Sequence, residues 1–156
     1  MSRPALILVL TVLVLGGCAR SDRATADATP STRPPGPTLE ARLEEVSPDF
    51  PLTGNREVQV TYAVINAGRR AERLQFPTEQ RIELVLRGPD GTSLFLWSED
   101  RLFAATPSVV LINPGERLEY AVTVPTRDMV AGREYTAEAG LVGHPGTGAS
   151  LVLRPR

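Results

Sequence analysis

The chain has 156 residues, with 17 basic against 18 acidic ones, and its formal net charge is −1. This near-neutral balance argues against a nucleic-acid partner, which would favour a basic surface. Apart from one histidine, every basic residue is arginine, so a Schiff-base lysine and a phosphate-loop lysine are both excluded. Cys18 is the only cysteine, and a disulfide within one chain is therefore excluded too.

The N-terminus has the layout of a secretory signal. Arg3 precedes an apolar run, residues 5–15, which is shorter than the roughly 20 residues that a membrane-spanning helix needs. The run ends in Leu15-Gly16-Gly17-Cys18, which fits the lipobox of bacterial lipoproteins, since small residues precede the cleaved bond and a thiol that can accept diacylglycerol follows it. We expect residues 1–17 to be a lipoprotein signal peptide and Cys18 to carry the lipid, with palmitate as an acyl chain. The alternative is an ordinary signal peptide with an incidental cysteine.

Residues 18–37 are predicted to be a disordered linker. Residues 19–37 contain no Leu, Ile, Val or aromatic side chain, so they cannot bury enough apolar surface to offset their ordering entropy. Ala19 stands where an aspartate is the usual signal for retention at the inner membrane of many Gram-negative bacteria. We expect an exported membrane lipoprotein, at the outer membrane and facing the periplasm if the cell is Gram-negative.

Residues 38–156 are predicted to form one all-β domain, an immunoglobulin-like antiparallel β-sandwich. Apolar and polar residues alternate there in short runs, which is the pattern of half-buried strands. Val58, Val60 and Tyr62, for example, share one face of a run. About seven or eight strands at hairpin spacing are expected. The predicted runs are 39–44, 57–65, 80–87, 92–97, 117–124, 133–141 and 151–153.

Proline and glycine mark the predicted turns between these runs. Residues 88–91 read Gly-Pro-Asp-Gly, which favours a type I turn, and residues 113–116 read Asn-Pro-Gly-Glu, which favours type II. Asn66-Ala67-Gly68 ends a run with residues that tolerate a left-handed backbone. The turns therefore agree with an antiparallel arrangement of the strands.

Several short motifs follow one another in a fixed order over residues 58–141, which is more than half of the mature chain. They are Val64-Ile65-Asn66-Ala67-Gly68, Leu74-Gln75-Phe76, Gln80-Arg81, Gly88-Pro89-Asp90-Gly91, Leu96-Trp97-Ser98, Phe103, Pro114-Gly115-Glu116 and Gly132-Arg133-Glu134-Tyr135. This set resembles the BsuPI family, named for an intracellular proteinase inhibitor of bacilli. The resemblance implies an immunoglobulin-like sandwich and an inhibitor of proteases, and it marks Gln80, Arg81, Trp97 and Ser98 as family-motif residues.

The sequence departs from the family pattern at two places. The family often has Ser-Gly-Gln-Arg followed by Tyr-Asp-Phe, whereas residues 78–84 here read Thr-Glu-Gln-Arg-Ile-Glu-Leu. A second tryptophan that is common before the Trp-Ser pair is replaced by Phe95. Apolar character is kept, so the expected fold is unchanged. Because an exported protein cannot meet an intracellular protease, the resemblance implies the fold more directly than the activity.

Catalytic, metal and cofactor chemistry is not expected. His144 is the only histidine and lies in a glycine-rich stretch, residues 143–148, which is predicted to be a mobile loop and a poor place to hold a general base. One histidine without a spare cysteine cannot supply the three or four ligands of zinc. Glu99-Asp100 lacks the alternate spacing of a calcium-binding loop. An enzyme is therefore the least favoured class.

The segment from Ser98 to Phe103 has two interpretations. In the favoured one it is a crossing loop, with Phe103 in the core beside a buried Trp97. In the other it is a partner-binding loop, in which Arg101, Leu102 or Phe103 fills the specificity pocket of a protease. Gln80 and Arg81 are similarly ambiguous, either as a buried hydrogen-bonding pair or as part of a surface site.

Two functional hypotheses follow, and the first, which rests on elimination, is favoured. The first is a non-enzymatic, lipid-anchored binding module of the cell envelope, held to the membrane through Cys18 and recognising a protein partner. The second, which the BsuPI resemblance implies, is a proteinase inhibitor acting on exported serine proteases.

Overall fold

Ten β-strands form the domain in the computed structural model, which describes residues 38–45 and 47–156. In chain order they are β1 (Leu39–Glu45), β2 (Asp49–Phe50), β3 (Glu57–Asn66), β4 (Glu72–Phe76), β5 (Ile82–Arg87), β6 (Ser93–Leu96), β7 (Ser108–Ile112), β8 (Arg117–Pro125), β9 (Tyr135–Leu141) and β10 (Ala149–Pro155). This described part contains no helix, and so none long and apolar enough to cross a membrane. The predicted signal peptide, Cys18 and the linker lie outside the described residues.

The strands form three sheets. Their orders are β1-β3-β8, β2-β10-β9-β5-β6 and β4-β7. Each paired strand runs antiparallel to its neighbour except β2, where Asp49 and Phe50 lie parallel to Arg154 and Pro155 of β10. The predicted all-β, immunoglobulin-like antiparallel β-sandwich is confirmed; this short pair is the exception to the antiparallel pairing, and the ten strands exceed the seven or eight expected.

Three of the strands, β2, β4 and β7, do not correspond to predicted runs. β2 has only two residues, which is too short for a periodic pattern. β7 reads Ser-Val-Val-Leu-Ile and shows no alternation, because apolar side chains stand on both of its faces. Val109 and Leu111 point outward and are about half exposed, at 49% and 55%, whereas Ile112 is fully buried.

The core lies between the sheets and is built from the apolar face of each alternating strand. Full burial of such side chains contributes roughly 1.5–3 kcal/mol each. The largest fully buried apolar side chains are Tyr62, Phe76, Ile82, Leu84, Leu86, Ile112, Leu153, Val60, Val64, Val122 and Val124. The predicted inward faces of β3, β5 and β8 supply most of them.

Two of the predicted turns form as expected. The amide of Gly91 donates to the carbonyl of Gly88 at 2.9 Å, which closes the type I turn before β6. The amide of Glu116 donates to the carbonyl of Asn113 at 2.9 Å, and Gly115 has the positive φ, 76°, that a type II turn requires at that position.

Residues 66–68 end the β3 run as expected, but they do so without the left-handed backbone that they would tolerate. Asn66 stays in β3, and among the described residues only glycines have a positive φ, with Gly68 not one of them. The side chain of Asn66 turns the chain instead, because its Oδ1 accepts a hydrogen bond from the amide of Gly68 at 2.9 Å. Such a side-chain turn makes a left-handed residue unnecessary at this position.

The loops gather at two opposite ends of the sandwich. We call residues 67–71, 77–81, 97–107, 113–116 and 142–148 the loop-rich end, and residues 51–56, 88–92 and 126–134 the opposite end. Contacts within each end support this grouping: Glu79 donates to Ala104 at 3.0 Å in the first, and Thr126 donates to Arg56 at 2.9 Å in the second. Thr38 lies at the loop-rich end, where its carbonyl accepts a hydrogen bond from Ala67 at 2.9 Å.

Candidate partner-binding site

The half-buried carboxylate of Glu83, a residue of β5, accepts hydrogen bonds from two segments of the loop-rich end. One of its oxygens accepts the amides of Leu84 at 3.0 Å and Ser98 at 3.2 Å. The other accepts the Ser98 hydroxyl and, at 3.0 Å, the side-chain amide of Gln80. Two of the family-motif residues, Gln80 and Ser98, therefore meet at one carboxylate.

Sequence reasoning missed the role of Glu83. The signal was present, because Glu83 occupies the acidic position of the family's Tyr-Asp-Phe pattern. That position was considered only as a departure from the pattern. The structure brings Glu83 together with Gln80 and Ser98, so the side-chain charge is retained where both neighbouring apolar side chains differ.

Trp97 forms a platform for the segment that follows it. The guanidinium of Arg101 lies over the indole ring, 4.3 Å from its centroid, and Nε of Arg101 donates to the carbonyl of Trp97 at 3.0 Å. The Phe103 ring packs on the same indole, with the centroids 5.7 Å apart. Such a stacked cation contributes about 0.5–1 kcal/mol at an exposed site.

The expectation that Trp97 is buried in the core is wrong. Trp97 is half-buried and packs against the edge of the core, and Phe103 is half-buried beside it. The reason is the position of β6, which is the edge strand of its sheet and is followed at once by a turn. Both residues support the loop after β6.

Leu102 projects from this support into solvent. Its exposed fraction is 103%, the highest of the large apolar side chains in the described residues. On either side of it, Arg101 and Phe103 turn back onto Trp97. One residue further on, the carbonyl of Ala104 accepts the amide of Glu79 at 3.0 Å. An exposed apolar side chain is thus presented between fixed neighbours.

Arg81, the other residue of the predicted pair, points away from Gln80. Its Nη1 donates to the carbonyl of Thr78 at 2.8 Å, and its guanidinium lies 4.7 Å from the centroid of the Phe76 ring. Burial raises the pKa of the nearby Tyr120, and the charge of Arg81 partly opposes that rise. Gln80 and Arg81 are therefore parts of two different side-chain clusters.

His144 is held by contacts within the loop-rich end. Its Nε2 lies 3.0 Å from the carbonyl oxygen of Gln75, and its ring packs edge-on against Phe76 with centroids 5.2 Å apart. The loop is also tied to β3, because the buried hydroxyl of Tyr62 donates to the carbonyl of Thr147. Burial raises the pKa of Tyr62, which keeps this hydroxyl a donor.

Within residues 38–45 and 47–156, no cluster of His, Cys, Asp or Glu side chains is arranged to hold a metal ion. Glu99 and Asp100 are both exposed in the turn after Trp97. An open groove of about 450 Å³ runs beside Glu83, over Gly140 and Ala149. The carboxylate of Glu83 is already hydrogen-bonded, and Glu138 on the same groove pairs with Arg87 at 2.8 Å, so both acidic groups have partners.

The protein is thus an all-β sandwich domain with an exposed apolar residue, Leu102, on a supported loop. The chain belongs to the BsuPI family, described as intracellular proteinase inhibitor, whose family model matches residues 45–146. The sequence resemblance to this family is confirmed. No curated protein sequence matches the chain significantly.

Several solved structures share the β architecture at low identity. The CARDB domain of a Pyrococcus furiosus protein is 13% identical, with a TM-score of 0.45, and the match covers 76% of this chain and 87% of that one. The sporulation control protein Spo0M of Bacillus subtilis is 18% identical, with a TM-score of 0.43, over 77% of this chain and 50% of that one. A β-glucosidase of Erythrobacter marinus is 15% identical, with a TM-score of 0.43, over 76% and 15%. None of these likenesses bears on function.

Proposed function

We propose that the domain is a proteinase inhibitor that presents Leu102 to the specificity pocket of an exported serine protease. Membership of an inhibitor family supports this over a general envelope-binding module, which was the first hypothesis from the sequence. The observation that carries the proposal is the full exposure of Leu102 between two residues that pack on Trp97.

The contacts that hold this loop on Trp97 favour stable inhibition of a protease over cleavage of the loop by it. A loop that is already held in its bound shape loses little conformational entropy when it binds, and this raises affinity. Arg101 is engaged with Trp97 by a hydrogen bond and by stacking, and Phe103 is engaged by ring packing. Arg101 is exposed too, but of the three residues only Leu102 has an exposed side chain that is not engaged with Trp97, and the pocket that suits it is apolar.

The first test replaces Leu102 and measures inhibition of chymotrypsin-like, subtilisin-like and trypsin-like proteases. Truncation of a central contact residue costs 2 kcal/mol or more, so we expect Leu102→Gly to raise the inhibition constant at least about 30-fold. We expect Leu102→Arg to shift inhibition towards trypsin-like proteases. Val130→Gly is the matched control, because Val130 is an exposed apolar residue, at 62%, at the opposite end.

Three results would count against this proposal. One is the absence of inhibition of any of the three protease classes by the unchanged protein. Another is equal inhibition by the protein and by Leu102→Gly. The third is rapid cleavage after Leu102 without any lasting complex, which would make the loop a substrate.

We also propose that the protein is anchored to a membrane through a lipid on Cys18, as the lipobox at residues 15–18 suggests. The anchor would be stable, because each buried methylene of an acyl chain contributes about 0.8 kcal/mol and a lipoprotein carries more than one chain. Metabolic labelling with a fatty-acid probe tests it. We expect label on the unchanged protein and none on Cys18→Ser, and equal labelling of both would contradict the anchor.

A further inference from the structure

A second surface at the loop-rich end combines exposed apolar and cationic side chains. It lies on the outward face of the two-stranded β4-β7 sheet, where Arg73 is directly opposite Leu111 and Gln75 is directly opposite Val109. Directly opposite residues of an antiparallel pair share a face. Leu111 and Val109 are 55% and 49% exposed, and Arg73 is exposed beside them.

Two further arginines extend this surface towards the point where the chain enters the domain. Arg69 and Arg70 are exposed in the loop between β3 and β4. Among the described residues, no carboxylate lies within ion-pairing distance of Arg69, Arg70 or Arg73, whereas Arg117 is paired with two glutamates. Within the described residues, these three guanidinium groups therefore have no ion-pair partner, on a protein whose net charge is −1.

The position of Thr38 relates this surface to the N-terminal segment. Thr38 is hydrogen-bonded to Ala67, and a Cβ on Gly68 would lie only 2.4 Å from the Thr38 methyl group. The loop that carries Arg69 and Arg70 is thus in direct contact with the first described residue. Cys18 precedes Thr38 by 20 residues, so a lipid on that cysteine would tether this end of the domain within about 65 Å of the membrane.

We propose that Arg69, Arg70 and Arg73, with Val109 and Leu111, form a docking surface for a membrane that contains anionic phospholipids. Arginines would contact the phosphate groups, and the two apolar side chains would enter the interfacial region between headgroups. The orientation rests on the proposed anchor, but the binding itself does not, and the two are tested separately.

The test measures binding of the full chain carrying Cys18→Ser to vesicles, so that no lipid on the protein contributes. One set of vesicles is phosphatidylcholine alone, and the other contains phosphatidylglycerol. The Cys18→Ser protein is the parent, and it is compared with the variant that also carries Arg69→Gln/Arg70→Gln/Arg73→Gln. The control is Arg56→Gln/Arg127→Gln/Arg133→Gln at the opposite end, which removes the same number of positive charges. Residues 1–17 are the same in all of these proteins and contribute equally.

We expect tighter binding of the parent to the anionic vesicles, and a loss of this preference at high ionic strength. A surface arginine near anionic lipid contributes a factor of about five, so the first triple variant should bind the anionic vesicles about a hundredfold more weakly. The control variant should stay within a few fold of the parent. Val109→Ser/Leu111→Ser should weaken binding to the anionic vesicles while keeping the charge-dependent preference.

Equal binding of the parent to both kinds of vesicle would overturn the proposal, and so would equal losses in the two triple variants. A triple variant that keeps vesicle binding but loses a specific protein partner would assign the surface to that protein instead. Fatty-acid labelling of the unchanged protein reports on the anchor separately. If the protein takes up the fatty-acid label but does not prefer anionic vesicles, only the docking surface is refuted. If it prefers anionic vesicles but takes up no label, only the anchor is refuted.

Discussion

The side chain of Asn66 connects three parts of the chain from a fully buried position. Its amide nitrogen donates to the carbonyls of Arg70 and Ile112, both at 2.8 Å, and its oxygen accepts the amide of Gly68. A buried carbonyl that loses its donor costs about 1–3 kcal/mol. This residue therefore holds the end of β3 against both β7 and the loop that carries Arg70.

We expect Asn66→Ala to lower the free energy of unfolding by about 2–4 kcal/mol, because two carbonyls lose their partner. Asn66→Asp should be at least as damaging at neutral pH, since a carboxylate would face the same two carbonyls, and the damage should shrink when the carboxyl is protonated. Urea denaturation at about pH 7 and pH 4 measures both effects. Asn55→Ala is the control, since Asn55 makes an exposed bond to Pro51, and its loss should be small.

The carboxyl group of Glu45 lies in an environment that disfavours its charged form. Burial raises its pKa above the ordinary value, the nearby charge of Asp49 adds to the rise, and a hydrogen bond with Ser47 only partly opposes it. Its Oε2 is buried and has no hydrogen-bond partner in the described part of the chain. A raised pKa means that the folded state resists ionisation, so stability that is present at acid pH is lost as the pH rises through the folded pKa.

Replacement of Glu45 by glutamine should therefore stabilise the domain at neutral pH and have little effect at acid pH. The melting temperature of Glu45→Gln and of the parent, followed from about pH 4 to pH 7, measures this difference. Glu44→Gln serves as the neighbouring control, because Glu44 is exposed and pairs with Arg117 at 3.1 Å. A gain in Glu44→Gln as large as in Glu45→Gln would point to net charge as the cause instead of burial.

The sequence was informative about which residues matter in the candidate site, but less so about what each one touches. Trp97, Ser98 and Gln80 were singled out from motif order, and the structure brings each into the loop-rich end. Motif order cannot tell a core residue from an edge residue, so Trp97 was expected too deep. It also cannot show that Arg101 folds back on Trp97 while Leu102 does not, because that depends on the turn after β6.

At the level of the strands, alternation identified most strands that have one buried and one solvent-exposed face, but the short β4 was missed although Leu74 and Phe76 are buried and Arg73 is exposed. It predicted β3, β5 and β8 with their inward faces. It failed at β7, where Val109 and Leu111 place apolar side chains on the outer face as well. The same residues that hid this strand from sequence reasoning supply the apolar part of the proposed membrane-docking surface.

The link between β5 and the loop after β6 depends on Glu83. Glu83→Ala removes the acceptor of the Ser98 amide and hydroxyl, and we expect a loss of about 1–3 kcal/mol in unfolding free energy. Hydrogen exchange of the Ser98 amide should become faster while exchange in β3 stays slow. The control Glu138→Ala removes an exposed ion pair with Arg87, worth at most about 1 kcal/mol. Unchanged exchange at Ser98 would show that Glu83 does not hold the loop.

On the scale of the whole molecule, both proposed surfaces lie at the loop-rich end. Leu102 belongs to the loop between β6 and β7, and Val109 belongs to the strand that this loop enters. A membrane bound to the second surface and a protease bound to the first would therefore approach the same end of the domain. We expect anionic vesicles to weaken inhibition by the parent protein, and to do so much less for Arg69→Gln/Arg70→Gln/Arg73→Gln. Inhibition assays with and without vesicles measure this competition, and equal inhibition in both would show that the surfaces are independent.

The position of β10 inside the five-stranded sheet affects when the domain can complete its fold. β10 lies between β2 and β9, so the sheet cannot close before residues 149–155 have been synthesised. A ribosome needs roughly 8–30 s to make a chain of this length at 5–20 residues per second. For most of that time the nascent polypeptide lacks the strand that joins its early and late parts. For a protein exported as proposed, the five-stranded sheet would therefore be completed only after the final strand has passed through the translocation channel.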